Sequence, residues 1–199
     1  QAGEWVDGDD VLAVEEQMEI RLLSEADPWT APPSIAITMR TPGADFELAV
    51  GFLHGEGIIA SREDVLDVSY CLDETEEQRL NIVTVTLRAG LSFDLSRLDR
   101  HFYTTSSCGV CGKASIESVR TSCPFPDTPD GLRIPVEIIY QLPNILRDQQ
   151  NIFTQTGGLH GCALFYTAGN LLLAREDVGR HNALDKLIGA ALQQGMLPR

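Results

Sequence analysis

The chain has 199 residues, 43% of them hydrophobic and 22% charged, and 29 acidic against 15 basic side chains leave a formal charge of −14. That sign argues against general nucleic-acid binding, which needs a basic face to displace counterions from phosphates. No apolar run approaches the roughly 20 residues of a membrane span, and the start holds no basic stretch followed by an apolar one of the secretory kind. The length suits one large domain or two small ones. The five cysteines (Cys71, Cys108, Cys111, Cys123 and Cys162) are an odd number in a chain too long to need disulfide staples. Reduced thiols in a cytoplasmic setting are therefore expected.

Alternation predicts a strand over Val11–Leu22, with Met18, Ile20 and Leu22 on one face, and another over Ser34–Arg40, with Ile35, Ile37 and Met39 on one face. Thr41-Pro42-Gly43 turns the chain, and Asp45 is placed to cap a helix carrying Phe46, Ala49, Val50 and Leu53 that stops around His54–Gly57. Val65–Leu72 and Leu80–Arg88 read as strands joined by the acidic run Asp73–Glu77, a solvated hairpin connection. A short strand over His101–Ser107 leads into a polar loop, and Ser122–Pro135, rich in proline, reads as a linker. Pro135 suits the first turn of a helix through Gln149, with Ile138, Ile139, Leu142 and Ile145 inward and a kink at Pro143. Two apolar strands near Cys162–Thr167 and Leu171–Arg175 are joined by Ala168-Gly169-Asn170. A last helix carries Leu184, Leu187, Ile188, Ala191 and Leu192 on one stripe and ends at Gly195. Intermixed strands and helices predict an α/β fold, divided into a strand-rich part over 1–121, a linker over 122–134 and a C-terminal α/β part over 135–199.

The densest chemistry lies in Thr104-Thr105-Ser106-Ser107-Cys108-Gly109-Val110-Cys111-Gly112-Lys113, where two cysteines share a glycine-rich turn before a predicted helix at Ala114–Val119. Unpaired N–H groups at a helix start, and Lys113 beside them, favour the thiolate. Three chemistries fit the pair. Zinc would need a second pair of ligands, from His160 and Cys162 or from Cys123 with a histidine. Thioredoxin-like dithiol exchange fits the spacing but not the mid-chain position. In the third, one thiolate accepts a sulfane sulfur as a persulfide and the neighbouring thiol assists its release. Spacing alone does not rank them. Cys71 and Cys162, among apolar strand residues, read as small buried side chains.

A second dense segment combines Thr156-Gly157-Gly158-Leu159-His160 with Arg175-Glu176-Asp177-Val178-Gly179-Arg180-His181-Asn182-Ala183-Leu184-Asp185-Lys186. Arg175, Arg180, His181 and Lys186 fall within twelve positions of an acidic chain, and Asp177 or Gly179 would open the last helix. Free N–H groups there and a glycine-rich turn have the character of a phosphate-type anion site, while a charge-laced helix start with no ligand fits equally.

Taken in order along the chain, Cys108-Gly109-Val110-Cys111-Gly112, Thr156–His160 and Glu176–Lys186 resemble the formate dehydrogenase accessory sulfurtransferase family (FdhD), as does Phe46-Glu47-Leu48-Ala49-Val50-Gly51-Phe52-Leu53-His54-Gly55-Glu56-Gly57-Ile58-Ile59. The resemblance implies a cytidine deaminase-like mixed sheet with flanking helices and without the deaminase zinc site, plus a smaller strand-rich N-terminal part. It implies a cytoplasmic, homodimeric sulfurtransferase that takes sulfur from a cysteine desulfurase. The acceptor is the molybdenum cofactor in its bis-guanine dinucleotide form, needed by formate dehydrogenase, with guanine nucleotides able to stand in for it. It makes Cys108 the persulfide carrier and Cys111 its partner. The cofactor-binding set is then Thr156, Gly157, Gly158, His160, Asp177, Gly179, Arg180, His181, Asn182, Asp185 and Lys186, with no metal ligands. The alternative is a zinc- or nucleotide-binding cofactor chaperone that carries no sulfur. The family pattern runs on past the last helix, so the part over 135–199 reads as truncated.

Overall fold

In the computed structural model, residues 9–26, 32–71, 78–91 and 133–197 are described. The predicted strand at His101–Ser107, the cysteine loop with Cys108, Cys111 and Cys123, the acidic connection and nearly all of the linker lie outside them.

The N-terminal part builds a mixed four-stranded sheet from β1 (Glu16–Ser24), β2 (Ser34–Arg40), β3 (Val65–Tyr70) and β4 (Ile82–Leu87), in the order β2-β1-β4-β3. β1 runs antiparallel to β2 and parallel to β4, and β3 closes antiparallel on β4. Met18, Ile20 and Leu22 alternate into the core as expected, but β1 begins at Glu16, and Val11, Leu12 and Val14 are exposed. On β2 the expected face is reversed beyond Ile35. Met18 pairs with Thr38 and Ile20 with Ala36. Directly opposed residues share a face, so Ala36, Thr38 and Arg40 look inward while Ile37 and Met39 face out.

Helix α1 (Asp45–Gly55) lays Leu48, Ala49 and Leu53 on that core. Asp45 does not cap it. Ala44 holds the N-cap position in the left-handed region (φ 56°), and Asp45 is the first helical residue. A 3-10 turn at Arg62–Asp64 leads into β3.

The C-terminal part contains α2 (Val136–Arg147), α3 (Asn151–Thr156), β5 (His160–Phe165), β6 (Leu171–Asp177) and α4 (Arg180–Gln193). β5 and β6 form an antiparallel hairpin whose tight turn uses Gly169 at φ 86°. Pro143 lies inside α2 without ending it. The helix stops at Arg147, and α3, which the periodicity does not mark, follows. No residue of α2 is fully buried, and Ile139, expected inward, is half exposed. The face carrying Ile138 and Leu142 meets the β5–β6 turn, beside Gly169, and the next position along a helix is rotated away by about 100°.

Helix α4 packs along α1 and also against β5 and β6. Backbones approach so closely at the α1–α4 crossing that a Cβ on Gly51 would overlap the carbonyl oxygen of Asp185, and one on Gly189 that of Glu47. Because α4 is covered from two directions, its buried face holds Asn182, Ala183, Lys186, Leu187, Ala190, Ala191 and Leu192. Leu184, expected on the apolar stripe, is turned outward. Leu192 reaches the core formed by β1, β2, β4 and α1.

Candidate functional site

The segment from Asp177 to Lys186 begins on β6 and ends in the second turn of α4. Asp177 is fully buried. Its Oδ1 accepts from the Gly179 N–H at 2.8 Å and from Asn182 Nδ2 at 3.1 Å, and its Oδ2 accepts from the Thr41 N–H at 3.1 Å. Lys186, 2% exposed, places Nζ 2.7 Å from the same Oδ2 and also donates to the Thr41 carbonyl at 2.7 Å. The Val178 N–H donates to the Thr41 hydroxyl at 3.1 Å. Asn182 Nδ2 donates to the Met39 carbonyl at 2.7 Å, and the Thr38 hydroxyl donates to Asn182 Oδ1 at 3.2 Å. Spacing of four residues puts Asn182 and Lys186 on one helix face, so both reach the end of β2. A buried charge pair is tolerated only when its remaining hydrogen-bonding capacity is met. Among the described residues, no buried side-chain nitrogen or oxygen lacks a partner.

The turn that receives these bonds, Thr41–Ala44, is itself braced. Arg40, 1% exposed, makes a bidentate pair with Asp45 at 3.0 and 3.1 Å. It also donates to Asn81 Oδ1 at 2.8 Å, to the Leu80 carbonyl at 3.2 Å and to Glu16 at 3.3 Å. Asp45 further accepts from the Gly43 N–H and the Tyr70 hydroxyl. Burial, then the charge of Asp45 and its hydrogen bond, hold the Tyr70 hydroxyl above its usual pKa. Asp45 is thus the counter-charge of a buried arginine rather than a helix cap.

The four clustered basic side chains are divided between two environments. Lys186 is consumed by Asp177 and Thr41. Arg175 forks onto Glu47 of α1 at 2.5 and 2.7 Å, a hydrogen-bonded pairing that raises its pKa further. Arg180 and His181 are exposed on the first turn of α4, after the Gly179 N-cap. The glycine-rich turn leads into β5, whose first residue pairs with the last of β6. Gly157 ends α3 in the left-handed region, the Thr156 hydroxyl accepts from the Gly158 N–H, and His160, exposed, is the cross-strand partner of Asp177.

Asp185 places a carboxyl oxygen beside Gly55 at the end of α1. Burial first, then the charges of Glu56 and Asp177, push its pKa up to about 7. Cys162 lies on β5 with its sulfur 4.0 Å from the Arg180 carbonyl; burial, then Asp185, push its thiol up. Cys71 and Cys162 are partly rather than fully buried.

Several contacts of this region carry no sequence signal. Thr41 is indistinguishable from any turn residue, and Arg40 from a polar strand end. Glu176 accepts from the N–H groups of Ile152 and Phe153, capping α3 from another element. A cavity of about 220 Å³ opens between Thr41–Ala44, Gln149 and Gln150, and Arg175 and Glu176, with Lys186 at its wall. Only inward alternation of Ala36, Thr38 and Arg40 could have flagged the buried arginine.

The sequence model of the FdhD/NarQ family matches residues 15–199. A protein named sulfur carrier protein FdhD from Mycolicibacterium paratuberculosis is 48% identical over 99% of this chain and 70% of its own length. One of the same name from Streptomyces coelicolor is 47% identical over 95% of this chain and 65% of its own. The chain therefore spans about two thirds of the length of such relatives. A crystal structure described as a formate dehydrogenase accessory protein from Desulfotalea psychrophila matches 94% of this chain and 63% of its own with a TM-score of 0.64 at 24% identity, a likeness of fold. A match across nearly the whole sequence, carried by close relatives, leaves one conclusion: the chain belongs to the FdhD/NarQ family.

Proposed function

We propose that this protein is a sulfur carrier that delivers sulfur to the molybdenum cofactor, in its bis-guanine dinucleotide form, for formate dehydrogenase. The observation that carries the reading is the match of nearly the entire chain to relatives named sulfur carriers, in a sequence whose one C-x-x-C pair is Cys108 and Cys111. The Cys108 thiolate attacks the terminal sulfur of a cysteine desulfurase persulfide; the donor S–S bond breaks and the desulfurase thiolate leaves. The Cys111 thiolate then attacks Cys108 Sγ, forming a Cys108–Cys111 disulfide and releasing hydrosulfide towards the acceptor. The two thiols supply the two electrons that reduce sulfane sulfur to sulfide, and an external dithiol restores the pair.

The start of α4 supports the acceptor half of this reading. Arg180 and His181 lie exposed at the N-terminus of a 14-residue helix, where free N–H groups favour phosphate oxygens. The reading is tested by mass after incubation with a desulfurase and cysteine. Wild-type protein should gain a sulfur atom and Cys108→Ala should not; an undiminished gain in the variant overturns it.

A further inference from the structure

Thr41 uses every polar atom it has on one distant segment. Its N–H reaches Asp177 at 3.1 Å, its hydroxyl takes the Val178 N–H at 3.1 Å, and its carbonyl takes Lys186 Nζ at 2.7 Å. The residue is 5% exposed, so water does not substitute for these partners. Its own backbone is set by the turn that the Arg40–Asp45 pair braces. The three bonds fall on the last residue of β6, the residue after it, and the second turn of α4. Between those anchor points lie Gly179, Arg180 and His181.

We propose that Thr41 is a positioning residue for acceptor binding. It fixes the strand-to-helix corner at Asp177–Gly179, and through it the direction in which Arg180, His181 and the free N–H groups of α4 are presented. The inference rests on the reading of that helix start as the phosphate-binding face. On this view Asp177, Asn182 and Lys186 belong to the clamp, and the exposed Arg180 and His181 meet the ligand. A corner held from three directions loses little entropy on binding. Without the hydroxyl, the Val178 N–H is left without its partner and the corner gains freedom to swing.

The test compares Thr41→Val, which keeps shape and backbone bonds but removes the hydroxyl, with Thr41→Ser, which restores the hydroxyl. GDP binding is measured by calorimetry and the exchange of the Val178 amide hydrogen by NMR or mass spectrometry. Thr41→Val should weaken GDP binding by about tenfold and speed exchange at Val178, and Thr41→Ser should recover both. Val85→Ala, a truncation in the sheet core, controls for stability: it should lower the melting temperature and leave GDP affinity in place. Wild-type-like GDP affinity in Thr41→Val overturns the positioning role, as does an equal loss in Val85→Ala. A wild-type protein that does not bind GDP overturns it differently, by removing the phosphate-binding face on which it rests.

Discussion

Asp185 is the described residue whose ionisation is most at odds with its surroundings. Burial and the charges of Glu56 and Asp177 raise its pKa from 3.8 in the free side chain to about 7 in the fold. Between those values the folded state holds a proton that the unfolded chain has released, so raising the pH from about 4 to about 7 favours unfolding. Above pH 7 the carboxylate is charged in both states and the penalty is complete. Asp185→Asn removes the titration. Denaturant unfolding at pH 5 and pH 8 should show the variant more stable than wild type at pH 8, by on the order of 1–2 kcal/mol, with a smaller difference at pH 5. Lys186 and Asp177 show the opposite solution to the same problem. Two buried charges are held by each other, by Asn182 and by Thr41, and neither is left without a partner.

The decisive contact between elements is the crossing of α1 and α4. Gly51 and Gly189 face each other there, the Gly189 nitrogen lying 2.9 Å from where a Gly51 Cβ would sit. Glycine is otherwise a poor helix residue, less favourable than alanine by about 1 kcal/mol. In an isolated helix Gly51→Ala would therefore stabilise. In this fold the added methyl meets backbone, which cannot rotate aside, and the helices must separate. We expect Gly51→Ala to destabilise by about 2–4 kcal/mol in chemical denaturation, against the sign of propensity. The separation would also strain the Glu47–Arg175 bond, which joins α1 to β6 next to the crossing.

At the scale of the molecule, the N-terminal sheet and the C-terminal hairpin are joined through one buried layer. Among the described residues, the side chain of Leu192, from the last helix, is fully buried in a core whose other fully buried members lie within residues 18–87. Thr41 and Glu47, from the first part, are bonded to Asp177, Lys186 and Arg175 of the second. Leu192→Ala should lower global stability by about 2–5 kcal/mol, the range for buried leucine truncations. Fluorescence and circular dichroism should follow one coincident transition in both proteins, because the residue's neighbours lie in the other part of the chain.

Much of the element order was legible in the sequence. Ser34–Arg40 as a strand, a helix from Asp45 to about Gly55, the two strands around Gly169 and a last helix ending at Gly195 follow from apolar period, turn residues and glycine at helix ends. These signals are local, so they survive without knowledge of neighbours. The motif residues of the cysteine loop and of the Asp177–Lys186 segment were equally visible as residue types, and they carried the family. Tertiary structure decided everything that depends on what lies opposite. The partner strand turned Ile37 and Met39 outward on β2, and double coverage put Lys186 rather than Leu184 on the inner face of α4. Asp45 became a counter-ion because Arg40 is buried beside it. The role of Thr41 was invisible for the same reason: its three partners lie 136 or more positions along the chain, and hydrogen bonds across such distances leave no period to read.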